Sequence, residues 1–208
     1  MASFNTSKAL LLVDFINETV HPHGKLASKG YVDFELRHGT LDRVQKLLEY
    51  ARSWQYAVIH VGIGFSPDYK EQPENSLLFG EVKKLEAFKL DSWGTQFHSK
   101  VSPVEGEACL TKHRVSAFYG TALDVILRTY GVNSIVVAGC ATDLAVQSAI
   151  REAHDRDYQC TVVSDCCIAA NDKDHEDALR LLSKPSKVVT LQEFVELSAQ
   201  NHSKQPQS

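Results

Sequence analysis

The sequence contains no apolar run near the roughly 18 residues of a membrane-spanning helix, which excludes an α-helical membrane protein. It has no basic excess either. The net charge is −4 and lysine and arginine are scattered, which argues against nucleic acid and anionic membrane as partners. No C-x-x-C and no Cys/His pairing at zinc-finger spacing occurs. The five cysteines (Cys109, Cys140, Cys160, Cys166 and Cys167) are an odd number, and Met1-Ala2-Ser3-Phe4-Asn5 lacks the features of a signal peptide. Reduced thiols and a cytoplasmic location are therefore expected. Cys109, Cys160 and Cys166 read as small core hydrophobes, and the vicinal Cys166-Cys167 pair as structural. Internal repeats and low-complexity linkers are absent.

What remains is a chain of 208 residues, 43% of them hydrophobic, which is enough for one domain with a full core. The domain is expected over 1–199, with the polar stretch 200–208 as a disordered tail. The short all-apolar run 9–13 suits a parallel strand buried on both faces, and further strands are expected at 57–61, 108–111, 134–138, 160–163 and 187–190. Helical patterns alternate with them. Leu41, Val44, Leu47, Leu48 and Ala51 recur at helical spacing, and further helices are expected at 123–130, 144–156, from an Asn171 or Asp172 cap through Leu182, and at 191–199. The alternation predicts a three-layer α/β/α fold, a doubly wound, mostly parallel six-stranded sheet of Rossmann-like type. Residues 64–105, with Pro67, Pro73, Gly80, Gly94 and Pro103, read as a long irregular segment of the kind that builds a pocket wall.

Ligands of such sheets bind beyond the carboxyl ends of the strands. That rule groups Asp14, Lys112 and the turn 139–146, each of which closes a different strand. A carboxylate placed after five apolar residues needs a partner or must stay protonated. A strand-end ion pair of structural role only is the bland alternative.

Three segments carry a resemblance to a known family. Val13-Asp14-Phe15-Ile16-Asn17, Lys112-His113-Arg114-Val115-Ser116-Ala117-Phe118 and Gly139-Cys140-Ala141-Thr142-Asp143-Leu144-Ala145-Val146 resemble, in order and spacing, the three motifs of the isochorismatase-like (cysteine hydrolase) superfamily. The resemblance implies that Asp14 is the general acid/base and that Lys112 holds and tunes it or the reacting oxygen. It implies a cis peptide between Cys140 and Ala141, and an oxyanion hole formed by the N–H groups of Ala141 and Ala145. It also brings Phe15, Asn17, Trp93, Phe118 and Tyr119, with Cys140, to the substrate-binding surface. Each of the aromatics has an alternative as a core or subunit contact.

The sequence departs from the family at one position: Ala145 stands where the family's nucleophilic cysteine is. Alanine offers no lone pair, so thiol attack on an amide is closed to this chain. Three readings stay open. The residue is a Cys→Ala substitution in a C–N hydrolase, or it belongs to a member that needs no nucleophile, or the chain is an inactive binding or oligomer-forming module. True isochorismatases, which resemble the chain in Asp and Lys, hydrolyse a vinyl ether by protonation and carry a small residue at this position. The Thr142-Asp143 pair keeps the amidase form. Cys140, five residues earlier, projects differently from position 145.

The loop Gly64-Phe65-Ser66-Pro67-Asp68-Tyr69 lacks the Asp-x-His pair of the metal-binding members, so no metal and no other cofactor is expected. His60 reads as a satisfied core histidine. His113 and Arg114 are candidates for a substrate carboxylate, or else solvated. A homodimer or homotetramer is implied by the resemblance only.

Overall fold

A computed structural model describes residues 7–202. Six strands, β1 (Lys8–Val13), β2 (Ala57–Ile63), β3 (Ala108–Lys112), β4 (Ser134–Gly139), β5 (Gln159–Val163) and β6 (Lys187–Val189), form one sheet in the order β3-β2-β1-β4-β5-β6. Every pairing is parallel. The chain starts in the middle and winds outward twice, so the reversal of direction falls between β1 and β4.

Both faces of β1 are buried, which is why its sequence is a run rather than an alternation. Ala9, Leu11 and Val13 point to one core with α4 (Leu123–Thr129), α5 (Gln147–His154) and α6 (Asp172–Leu182). Leu10 and Leu12 point to the other, under α2 (Tyr31–His38), α3 (Thr40–Ser53) and α7 (Leu191–His202). The predicted stripe of α3, Leu41 to Ala51, is buried in full. Each such Leu or Val contributes roughly 1.5–3 kcal/mol of transfer free energy. The Asn171 side chain caps α6 by accepting the Asp174 N–H at 2.9 Å.

Some expectations are corrected. Cys109 is exposed rather than core, because β3 is an edge strand and only alternate residues face inward. The last helix continues to His202, so residues 200–202 are helical; the rest of the expected tail, 203–208, lies outside the described residues. The short helix α1 (Asn17–Val20) and α2 carry too little periodicity to be read from sequence. The helix expected from 144 begins instead as a π-helical turn, Thr142–Val146, before α5.

The segment after β2 contains 3-10 turns at Trp93–Thr95 and Ser99–Val101. It folds over the sheet's carboxyl edge around a small core of its own, in which Phe65, Val82, Ala87 and Phe88 pack with Ile16 and Ile63.

Candidate active site

The site is assembled at the reversal point. β1 ends at Val13, and β2 runs further, to Ile63. Asp14 then takes a left-handed backbone conformation (φ 56°), which ends the strand abruptly. Its carboxylate accepts the Ile63 N–H at 2.8 Å on one oxygen and the Lys112 ammonium at 2.7 Å on the other. Its carbonyl accepts from Thr19 Oγ1 at 2.6 Å, which ties α1 to the turn. Lys112 comes from β3, two strand spacings (about 9.5 Å) away, and reaches across β2. Its other two hydrogens go to the carbonyls of Arg114 (3.1 Å) and Val115 (3.0 Å).

Asp14 is 5% exposed and Lys112 1%. Burial pushes the Asp14 carboxyl above the usual carboxylate range; Lys112 and the Ile63 N–H oppose the shift without cancelling it. The result is a carboxyl group placed to exchange a proton, beside a fixed cation.

The third wall comes from β4. Gly139 lies so close to Val13 that an added Cβ would stand 2.9 Å from the Val13 carbonyl, and glycine is required there. The Cys140–Ala141 peptide is cis. The N–H groups of Leu144 and Val146 both reach the Ala141 carbonyl, whereas that of Ala145 does not, and among the described residues the Ala141 N–H meets no acceptor. Thr142 is anchored by the Ile168 carbonyl (N–H 2.8 Å, hydroxyl 3.0 Å) and by His175 Nδ1 at 2.9 Å.

Asp14, Lys112, Cys140, Ala141 and Ala145 line one cavity of about 340 Å³. That lies within the range of small-ligand sites. The Cys140 thiol, the one lining thiol among the described residues, is pushed well above its ordinary pKa by burial and by the Asp14 and Asp143 carboxylates, so it remains protonated.

The other sequence-predicted residues are elsewhere. Phe15 is carried by the left-handed turn at Asp14 into the core beneath α3. Asn17 donates Nδ2 to the Trp93 carbonyl at 3.0 Å and so holds α1 to the long segment. Trp93 is half-exposed, edge-on to His21. Phe118 sits in the opposite core beneath the Arg156 guanidinium, and Tyr119 is exposed. His113 contacts the Gly64 carbonyl through Nδ1 at 2.6 Å, and Arg114 donates to the carbonyls of Glu71 (2.9 Å) and His113 (2.6 Å). His60 is a core histidine as expected but not a satisfied one: its Nε2 meets Glu107 at 3.0 Å, while among the described residues its Nδ1 has no partner, because the apolar strand β2 and its neighbours present no polar group there.

The segment 64–105 was expected to form a pocket wall, but the side chains it contributes, and Tyr31, were not read from the sequence. The long segment supplies the cavity's apolar wall, including Leu77, Phe79, Val82 and Phe88. Tyr31 lines it from the start of α2. Gly30 sets that position: its φ is +94° and an added Cβ would collide with the Ala170 carbonyl. Burial, with nearby Cys140 and the Asp143 and Asp14 carboxylates, pushes the Tyr31 phenol up to about 12, so it acts as a hydrogen-bond donor. Among the described residues, no group of three or more His, Cys, Asp or Glu is arranged to hold a metal, and no helix is long and apolar enough to cross a membrane.

A buried carboxylate–ammonium pair at the reversal point of a doubly wound parallel sheet, lining a cavity beyond the strands' carboxyl ends, defines a three-layer α/β protein with a small-molecule site. The Isochorismatase domain model matches residues 8–193, and the chain belongs to that family of hydrolases. It is 28% identical to the maleamate amidohydrolase of Pseudomonas putida over 93% of this chain and 87% of that enzyme. Among solved structures, the isochorismatase family protein of Desulfovibrio vulgaris is 26% identical, with a TM-score of 0.82 over 94% of this chain and 100% of that one. N-carbamoylsarcosine amidase from Thermoplasma acidophilum is 28% identical, with a TM-score of 0.71 over 89% of this chain and 97% of that one.

Proposed function

We propose that the chain hydrolyses the vinyl-ether bond of a small metabolite, with Asp14 as general acid and water as the nucleophile. The observation that carries this reading is a buried carboxyl with raised pKa that shares a cavity with position 145, where alanine leaves no nucleophile. Asp14 gives its proton to the enol carbon, and the electron pair of the double bond forms the new C–H bond. The resulting oxocarbenium ion takes up water, whose released proton returns to Asp14. As the hemiketal collapses, its hydroxyl proton passes to the departing oxygen and the C–O bond breaks, giving a carbonyl compound and an alcohol. Lys112 keeps Asp14 in place, and the N–H groups of Ala141 and Ala145 orient the substrate oxygen.

The amidohydrolase relatives and the Thr142-Asp143 turn favour a second reading. A cysteine at position 145 would make the same cavity a C–N hydrolase, with Asp14 as the base that activates the thiol.

The test is an assay of the unaltered chain and Asp14→Asn against enol ethers, isochorismate among them, and against small amides. Enol-ether turnover that falls by about 10²–10⁴ in Asp14→Asn is expected. Absence of enol-ether turnover in the unaltered chain would overturn the reading. We further propose a cytoplasmic homo-oligomer built from a single domain over 1–199.

A further inference from the structure

We infer that the cavity selects uncharged substrates with an apolar body and discriminates against those that carry a carboxylate. The inference rests on the reading that this cavity binds the substrate.

The first argument is the state of the cations. An ammonium has three hydrogens. All three of those on Lys112 are committed, to Asp14, Arg114 and Val115, at 2.7, 3.1 and 3.0 Å. Lys112 is therefore a positioning group for Asp14 with no donor left for an anionic ligand. Arg114 and His113, the neighbouring cationic candidates, turn to the carbonyls of Glu71 and Gly64 and do not line the cavity. Lys29 does line it, but only from the exposed rim, where its charge stays in water; Glu81 on the same rim is paired with Lys84 at 3.2 Å. An anion moved inside would lose its water without gaining a paired cation.

The second argument is the wall. Val82 and Phe88 are buried, and Phe79 is partly buried. Leu77, Leu78 and Leu85 also line the cavity yet remain at least half exposed. Leucines left in water around a cavity mouth form an apolar patch whose burial by a ligand body is favourable. The Tyr31 phenol, together with the Ala141 N–H, supplies neutral donors for the polar end. A neutral enol ether or amide bearing an aryl or branched alkyl group fits this distribution, and carboxylated substrates such as isochorismate or maleamate do not.

The experiment is calorimetric binding of two matched ligands, 4-methylbenzamide and 4-carboxybenzamide, to the unaltered chain, which requires no turnover. The methyl compound is expected to bind at least tenfold more tightly. Phe79→Ser is expected to weaken it several-fold, and Leu26→Arg, which adds a cation to the lining, to improve binding of the carboxylate. Equal or tighter binding of 4-carboxybenzamide by the unaltered chain, or no binding of 4-methylbenzamide, would overturn the inference. Because binding is read apart from catalysis, a chain that prefers the methyl compound but turns over no enol ether refutes the proposed reaction and leaves the selectivity standing.

Discussion

The Ile63 N–H holds one oxygen of the Asp14 carboxylate at 2.8 Å, and this bond exists because β2 runs further than β1 at the sheet's edge. One oxygen is thus fixed by backbone and the other by the Lys112 ammonium. The carboxyl cannot rotate without breaking both, so its orientation towards the cavity is set by the sheet itself.

The pH dependence follows from this pair. Burial raises the Asp14 pKa, and Lys112 lowers it through charge and hydrogen bond. A general acid must be protonated, so kcat/KM should fall as pH rises through the Asp14 pKa, on the high side of the ordinary 3.8. Lys112→Met removes the opposing contributions, and the descending limb should move to higher pH. A limb that stays in place or moves down in a pH–rate profile of the variant would contradict the assignment.

Position 145 offers a gain of function. Ala145 is buried on the cavity wall and Asp14 lines the same cavity. Ala145→Cys should acquire hydrolysis of small neutral amides, with a covalent acyl-enzyme detectable by mass spectrometry after rapid quenching. A well-folded Ala145→Cys protein that forms no adduct with any amide would show that more than the thiol is missing.

Glu107 should be a stability determinant away from the site. It receives Arg52 at 2.7 and 2.9 Å, His60 at 3.0 Å and the Val104 N–H at 3.0 Å. Glu107→Gln weakens all of these and should lower the unfolding free energy in urea by about 1–3 kcal/mol at pH 7. Burial disfavours the Glu107 charge, but Arg52, the Val104 N–H and His60 outweigh it and hold its pKa below the usual 4.5. A carboxylate of lowered pKa stabilises the fold above its unfolded value, and that contribution disappears as pH falls from about 4.5 through the folded value. The stability difference between the two proteins should therefore shrink in acid; a difference constant from pH 7 to pH 3 would refute the charge-based account.

Gly30 and Gly106 make a controlled comparison. Both have strongly positive φ, +94° and +90°, but only Gly30 faces an obstacle, the Ala170 carbonyl. Gly106→Ala should lose about 1–2 kcal/mol for the backbone conformation alone. Gly30→Ala should lose a further 1–3 kcal/mol or so from overpacking, and should weaken ligand binding by displacing Tyr31. Equal thermal shifts for the two variants would show that the Ala170 contact is not limiting.

Much of this was legible in the sequence because the physics was local. β1, β2 and β4 are buried on both faces and read as unbroken apolar runs, and the strand-end rule then gathered Asp14, Lys112 and the 139–146 turn. The aromatics were misplaced for an identifiable reason. Phe15 follows a residue with φ 56°, and no periodicity carries across such a turn. Cys109 was misread because an edge strand and a central one look alike over five residues. Tyr31 depends on a contact between Gly30 and Ala170, far apart in the chain. The sequence marks 64–105 as a wall, but which side chains face inward is decided by irregular backbone, where neither the strand nor the helix period applies.

The alanine on the cavity wall has a consequence beyond mechanism. A thiolate at a reaction centre is open to alkylation and to oxidation up to sulfinic and sulfonic acids. Ala145 presents nothing to attack, and Cys140 beside it is held as the unreactive thiol. Peroxide or iodoacetamide at levels that silence thiol-dependent hydrolases should therefore leave the proposed reaction centre chemically intact.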